Sequence, residues 1–196
     1  RCPPERYRHA IICLTSADDF ASRITANDVE IFALGMRTGH DWRVYWRLLR
    51  VLVRLKPKII HTRNLAALEM QAVGWLIPGT RRIHGEHGRD IYDLDGSNRR
   101  YRLLRRLLSP IIDRFITVSE DLRSWLVGTV GIPAEKVVQI YNGVDTDRFY
   151  PRATTDLSLA PKGFADPENI VIGTVGRLAE VKNQGSLVSA FASLVA

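Results

Sequence analysis

Two stretches of the sequence hold the residues best suited to chemistry. Glu86-His87-Gly88-Arg89-Asp90 is the densest group of titratable side chains, and it follows directly on the strand-like run Arg82-Ile83-His84-Gly85. An imidazole at that point can donate to or accept from a reacting hydroxyl, or hold a substrate by a hydrogen bond. His84 falls on the opposite face from Ile83 by strand alternation and reads as structural. The second stretch is Gly176-Arg177-Leu178-Ala179-Glu180-Val181-Lys182-Asn183, with two cations around a strand-to-helix turn and Lys182 placed at the start of the helix. A diphosphate needs fixed positive charge, backbone N–H groups and a helix N-terminus facing the anion. Singly, these residues read as a satisfied loop histidine and solvated surface cations.

Position gives them more weight. In open α/β sheets ligands bind outside the carboxyl ends of the strands. His61-Thr62-Arg63-Asn64, Ser119-Glu120 and Asn142-Gly143-Val144-Asp145 also come immediately after apolar strands, so five polar stretches would gather along one crevice. Neither the Gly-x-Gly-x-x-Gly dinucleotide fingerprint nor a Walker phosphate loop is present, which argues against a dehydrogenase or a P-loop ATPase. Cys2 and Cys13 have neither disulfide-framework nor zinc-site spacing.

The elements that must position these residues alternate between short apolar runs and segments of helical period, the pattern of a parallel sheet covered by helices. Strands are predicted at Ala10–Leu14, Val29–Leu34, Lys58–Thr62, Arg82–His87, Arg114–Val118, Val137–Ile140 and Ile170–Val175. Helices are predicted at Trp42–Leu55, Leu65–Leu76, Tyr101–Leu108, from Ser119 to about Gly128, and over Lys182–Val195. Between Tyr150 and Asn169 the periodicity gives way to Pro151, Pro161, Gly163 and Pro167, which reads as a linker. The expected organisation is a Rossmann-like α/β domain over 1–150, a linker over 151–169 and the start of a second such domain over 170–196. Both ends read as cut, since Arg1-Cys2-Pro3-Pro4 comes just before a strand and Leu194-Val195-Ala196 lies inside a helical pattern.

With 196 residues, 45% of them hydrophobic, the chain can bury one substantial core, and its net charge of +7 points to an acidic partner. Arg43, Arg47, Arg50 and Arg54, with Trp42 and Trp46, form one basic stripe, and Arg99, Arg100, Arg102, Arg105 and Arg106 form a second cluster. Both resemble surfaces that meet anionic lipid headgroups, although a charge run is usually a solvated helix face. A nucleic-acid partner is disfavoured because the arginines are interleaved with leucines rather than with exposed aromatics. No apolar run is long enough to span a bilayer, so the expected location is the cytoplasm, with peripheral attachment to the inner membrane.

Taken in order, His61-Thr62-Arg63-Asn64, His84 through Asp90, Phe115-Ile116-Thr117-Val118-Ser119-Glu120, Ile140 through Phe149 and Gly176-Arg177-Leu178 through Lys182-Asn183 resemble family 4 of the retaining GT-B glycosyltransferases. The stretch Ile83 to Asn98, with Asp93-Leu94-Asp95-Gly96-Ser97-Asn98, more narrowly resembles sugar transferases associated with bacterial exopolysaccharide and PEP-CTERM gene clusters. The resemblance implies transfer of a sugar from a nucleotide-sugar donor to a glycan or lipid-linked acceptor, with no metal and no organic cofactor. It implies that Arg177 and Lys182 contact the donor diphosphate and stabilise the leaving group, and that His87 lies near the transferred sugar. Asn142 and Gly143 match the interdomain loop, and Ser119 a strand-end position beside the cleft. The Gly-rich loop after the family's first strand is expected ahead of residue 1, and the acidic Glu-x7-Glu element beyond residue 196, so the fragment itself is expected to be inactive. The competing reading is a non-catalytic Rossmann-like module that docks on an anionic membrane; the Arg177 and Lys182 element, superfluous to docking, separates the two.

Overall fold

In the computed structural model, which describes residues 5–24, 29–39, 41–90, 92–151, 161, 163–164, 166, 168–179 and 182–195, the apolar runs of the first 140 residues form six strands. They are β1 (Ala10–Cys13), β2 (Glu30–Ala33), β3 (Ile59–Arg63), β4 (Arg81–Glu86), β5 (Arg114–Thr117) and β6 (Val137–Gln139). Every ladder is parallel: β1 pairs with β2, and β3, β4, β5 and β6 pair in that order. Helices α1 (Arg43–Leu55), α2 (Asn64–Leu68), α3 (Met70–Trp75), α4 (Arg99–Leu108) and α5 (Glu120–Ser124) connect or follow them. The architecture is α/β, with parallel sheets flanked by helices. The chain divides into two units, Arg1–Asn142 and Gly143–Ala196.

Helix α1 forms because Val44, Leu48 and Leu52, four residues apart, share one buried stripe. It ends where Lys56 turns left-handed and returns its N–H to the Leu52 carbonyl, just ahead of Pro57. Those three residues join Leu34, Met70, Val73 and Ile77 in one core, against which Ile12 and Ile60 also pack. A second core lies under the four-stranded sheet, with Phe115, Leu68, Ile112, Leu126 and Val130 fully buried. Each such aliphatic or aromatic side chain contributes about 1.5–3 kcal/mol by leaving water.

Several expectations need correction. The helix expected over Leu65–Leu76 is interrupted at Glu69, whose carbonyl accepts from Ala72 N–H in an i to i+3 bond, a tightening of the turn rather than a change of chain direction. The helix capped by Ser119 changes from α to π over Trp125–Val130 and stops at left-handed Gly131. The sheet of the first unit comes in two pieces, because β1 and β3 do not bond to each other. The strand expected at Ile170–Val175 does not form; Ile170 and Val175 are 89% and 104% exposed. A parallel strand needs a ladder partner, and no other strand occurs among the described residues of the second unit. That unit contains helix α6 (Gln184–Val195). Cys2 and residues 152–160 of the expected linker lie outside the described residues. No helix among the described residues is long and apolar enough to cross a membrane.

Candidate functional site

The carboxyl ends of β3 and β4 lie side by side, with Arg63 in register with Gly85. Asn64, the first residue past β3, takes a left-handed φ of 58°, which Asn tolerates better than most side chains. Its carboxamide oxygen accepts the backbone N–H of His87 across 2.9 Å. Arg63 donates from Nε to Nε2 of His87 across 3.1 Å. Gly85 is needed here for space: a Cβ would stand 2.8 Å from His61 Nε2 and 3.0 Å from His87 Nε2. Two imidazoles therefore converge over bare backbone, next to a guanidinium.

Both rings are held below the ordinary histidine pKa. For His87 the main cause is burial, followed by the Arg63 charge, with Glu86 acting in the opposite sense. His61 keeps surface exposure, yet the packing around its ring, then Arg63 and His87, push it the same way. With Nε2 of His87 accepting from Arg63, the ring proton belongs on Nδ1.

Beneath this pair runs a buried polar chain. Gln71 Nε2 donates to Thr62 Oγ1 (2.7 Å), Thr62 Oγ1 meets His84 Nδ1 (2.8 Å), and His84 Nε2 meets Glu86 Oε1 (3.3 Å). Arg105 closes it with a two-pronged contact to Glu86, 2.6 Å from Nε and 3.2 Å from Nη2. Burial would raise the Glu86 pKa, but hydrogen bonds from His84 and Arg105, and the Arg105 charge, hold it below the ordinary value. Arg105 is 1% exposed and its guanidinium sits 5.0 Å over the Trp125 ring. Its place in a basic surface cluster is therefore a correction, and so is the grouping of Glu86, fully buried, with the reactive cluster. The α4 stripe Tyr101, Leu104, Arg105 and Leu108 faces inward, and that spacing was the available signal. His84, expected to be structural, is fully buried in this chain.

The loop after β4 is held by its own carboxylates. Asp90 accepts from Tyr92 N–H, Asp93 from Asn98 N–H and Asp95 from Ser97 N–H, and Asn98 caps α4 by accepting from Arg100 and Tyr101. At Gly96, φ is 70° and an added Cβ would meet Trp125 Nε1 at 2.4 Å. Arg89 pairs with Asp121 at 2.9 Å. A shallow cavity of about 440 Å³ lies here, lined by Arg89, Ser97, Arg102, Asp121, Ser124 and Trp125 among others.

The other expected site residues are distributed as follows. The Ser119 hydroxyl accepts from Leu122 N–H as the cap of α5. Asn142 closes the first unit and Gly143 opens the second, both exposed. Arg177 and Lys182 lie in the second unit, also exposed. Lys182 stands two residues ahead of α6 instead of at its start, its N–H bonded to the Ala179 carbonyl at 2.9 Å. Gln184 Nε2 donates to the Arg177 carbonyl across 2.8 Å and ties the two ends of this turn together. On α1, Arg43, Arg50 and Arg54 are exposed, but Arg54 pairs with Glu30 and Arg47 is half-buried against Asp41, so two of the four charges have internal partners.

The model of Glycosyltransferase Family 4 matches residues 3–148. The chain belongs to glycosyltransferase family 4. Membership makes it a transferase domain that works with a sugar donor and an acceptor, and the matched span contains His61, Arg63, Asn64 and His87. No curated protein matches the chain.

Proposed function

We propose that this chain carries the acceptor-side domain of a retaining, GT-B-type family 4 glycosyltransferase, together with the start of its donor-side domain. The enzyme would move a sugar from a nucleotide-sugar donor to a glycan or lipid-linked acceptor in bacterial exopolysaccharide or cell-surface polysaccharide synthesis. The observation that carries this reading is the convergence of His61, Arg63, Asn64 and His87 at the ends of β3 and β4. A neutral His87 can hydrogen-bond a sugar hydroxyl without opposing the positive charge that builds on the sugar ring as its glycosidic bond breaks. The polar cavity around Arg89, Ser97 and Asp121 suits a hydroxyl-rich acceptor.

Arg177 and Lys182 would meet the departing diphosphate and supply the charge a metal otherwise would. Asn142 and Gly143 would serve as the interdomain loop. Screening a panel of nucleotide sugars against the full-length enzyme, with and without chelator, tests this reading; transfer abolished by chelation would count against it.

A cytoplasmic, membrane-peripheral location is favoured by the outer face of α1. Trp42 and Trp46 are 74% and 68% exposed there, beside Arg43 and Arg50. Amphipathic indoles flanked by arginines suit an anionic headgroup layer.

A further inference from the structure

Glu86 at the end of β4 is in register with Thr117 at the end of β5, so the chain leaves both strands at one level. From β4 it runs through His87 to Arg89, and from β5 through Ser119 to Asp121, where Arg89 Nη2 donates to the Asp121 carboxylate across 2.9 Å. The cavity of about 440 Å³ opens at this junction, and all its lining residues belong to the first unit. Two residues of chain span at most about 7 Å, so Arg89 keeps the cavity next to His87 yet beside it rather than over it. The floor is fixed before any ligand arrives. Trp125 is 6% exposed, and its indole N–H donates to the Gly96 carbonyl across 3.1 Å. A floor already in place leaves less to order on binding.

Charge decides what the cavity can hold. Arg89 and Arg102 bring two guanidinium groups to it, and Asp95 and Asp121 two carboxylates. The Ser97 N–H, above all, holds the Asp95 carboxyl below its ordinary value, which keeps it ionised near neutrality. The four charges cancel, so an anion that gains from the arginines loses against the carboxylates. A neutral hydroxyl does better, because it can donate to a carboxylate and accept from a guanidinium at once. Both kinds of partner are within reach, the Arg89 and Asp121 side chains being 26% and 73% exposed. Arg89 makes one bond from each terminal nitrogen, Nη1 to the Leu94 carbonyl and Nη2 to Asp121, which leaves a second hydrogen on each. The Arg102 side chain has no hydrogen-bond or ion-pair partner among the described residues. Ser97 and Ser124 add exposed hydroxyls to the same wall.

Resting on the transferase reading, we propose that this cavity is the subsite for a neutral sugar of the acceptor glycan, one unit removed from the sugar that receives the transfer beside His87. Its volume lies toward the small end for ligand sites and suits one sugar ring. The acceptor then carries at least two sugars, and the enzyme lengthens a glycan instead of starting one. The reaction that supplies its substrate is an earlier glycosyl transfer.

The test is an NMR titration of the chain with methyl cellobioside, methyl lactoside and methyl mannobioside, the matching monosaccharide glycosides, glucuronate and inorganic phosphate. At least one disaccharide is expected to move the Ser97 and Ser124 amides, the Trp125 indole and the His87 ring together, with saturation, and its monosaccharide to bind roughly tenfold more weakly or worse. Glucuronate and phosphate are expected to leave the cavity signals in place. Ser124→Trp fills the cavity and is expected to abolish the shift at Ser97 at an unchanged melting temperature; Thr129→Trp, at the exposed rim, serves the same purpose where Ser124→Trp does not fold. Four results would overturn the proposal: no disaccharide moves the cavity signals; an anion moves them as much as a disaccharide does; a disaccharide moves them and leaves the His87 ring unaffected; or binding survives in a folded cavity-filling variant. The titration contains no donor, so its outcome is separate from the transferase reading, which fails instead if the full-length enzyme turns over no nucleotide sugar.

Discussion

Arg63 Nε donates to His87 Nε2 across 3.1 Å, so the nitrogen of His87 that faces Arg63 is an acceptor and the ring must stay unprotonated for the contact to hold. Both histidines are held below the ordinary value, by packing first and by Arg63 second. The neutral rings therefore persist to lower pH than free imidazoles, and their contribution to stability is present above about pH 6.5 and lost as pH falls from there through the folded pKa. Arg63→Met removes a lowering charge. In histidine-resolved NMR titrations the His61 and His87 midpoints are expected to move up; unchanged midpoints would remove Arg63 from the account.

The buried Glu86–Arg105 pair makes a stability prediction. Arg105→Met leaves the Glu86 carboxylate uncompensated in the core and is expected to cost roughly 3–5 kcal/mol in denaturant melts, far more than Arg102→Met on the same helix. Because the Glu86 pKa is depressed, its stabilising share is complete above the ordinary glutamate value and declines as pH falls through the folded pKa. Glu86→Gln is expected to flatten that acid limb. Equal losses from Arg102→Met and Arg105→Met would contradict the burial.

Two glycines make opposite predictions. Gly85→Ala presses a methyl against the ends of the His61 and His87 side chains, so NMR shifts of both rings are expected to change while the melting temperature moves little. Gly96→Ala meets the Trp125 ring at 2.4 Å from a left-handed backbone and is expected to lower the melting temperature clearly. The reverse ranking would sink both assignments.

All six strands described in the first unit were legible because a parallel sheet demands short apolar runs at regular intervals, and the positions of His61 and Arg63 in the carboxyl-terminal half of β3 and of His87 just past β4 were legible with them. What pairs with what was not. Arg105 reads as one more arginine in a basic run, and only the α4 stripe it shares with Tyr101 and Leu108 separates it from its exposed neighbours. The run Ile170–Val175 carries a strand's composition without a strand's structure, since a ladder depends on partners that local sequence does not encode.

Membrane attachment through α1 predicts salt-sensitive binding to anionic vesicles, weakened by Arg43→Glu with Arg50→Glu and by Trp46→Ser. Arg47 and Arg54 already have carboxylate partners, so their replacement should matter less. Equal binding to neutral and anionic vesicles at low salt would remove the membrane surface from the account and leave transfer untouched.

The central claim is donor-dependent glycosyl transfer, with Arg177 and Lys182 stabilising the leaving diphosphate and His87 attending the sugar. Steady-state kinetics of Arg177→Ala, Lys182→Ala and His87→Ala in the full-length enzyme, with matched thermal melts, test it most directly. Each cation variant is expected to lose about a hundredfold in turnover, on the order of 3 kcal/mol, at unchanged melting temperature. His87→Ala is expected to lower turnover with a smaller effect on donor affinity. Near-wild-type turnover for both cation variants would contradict the account.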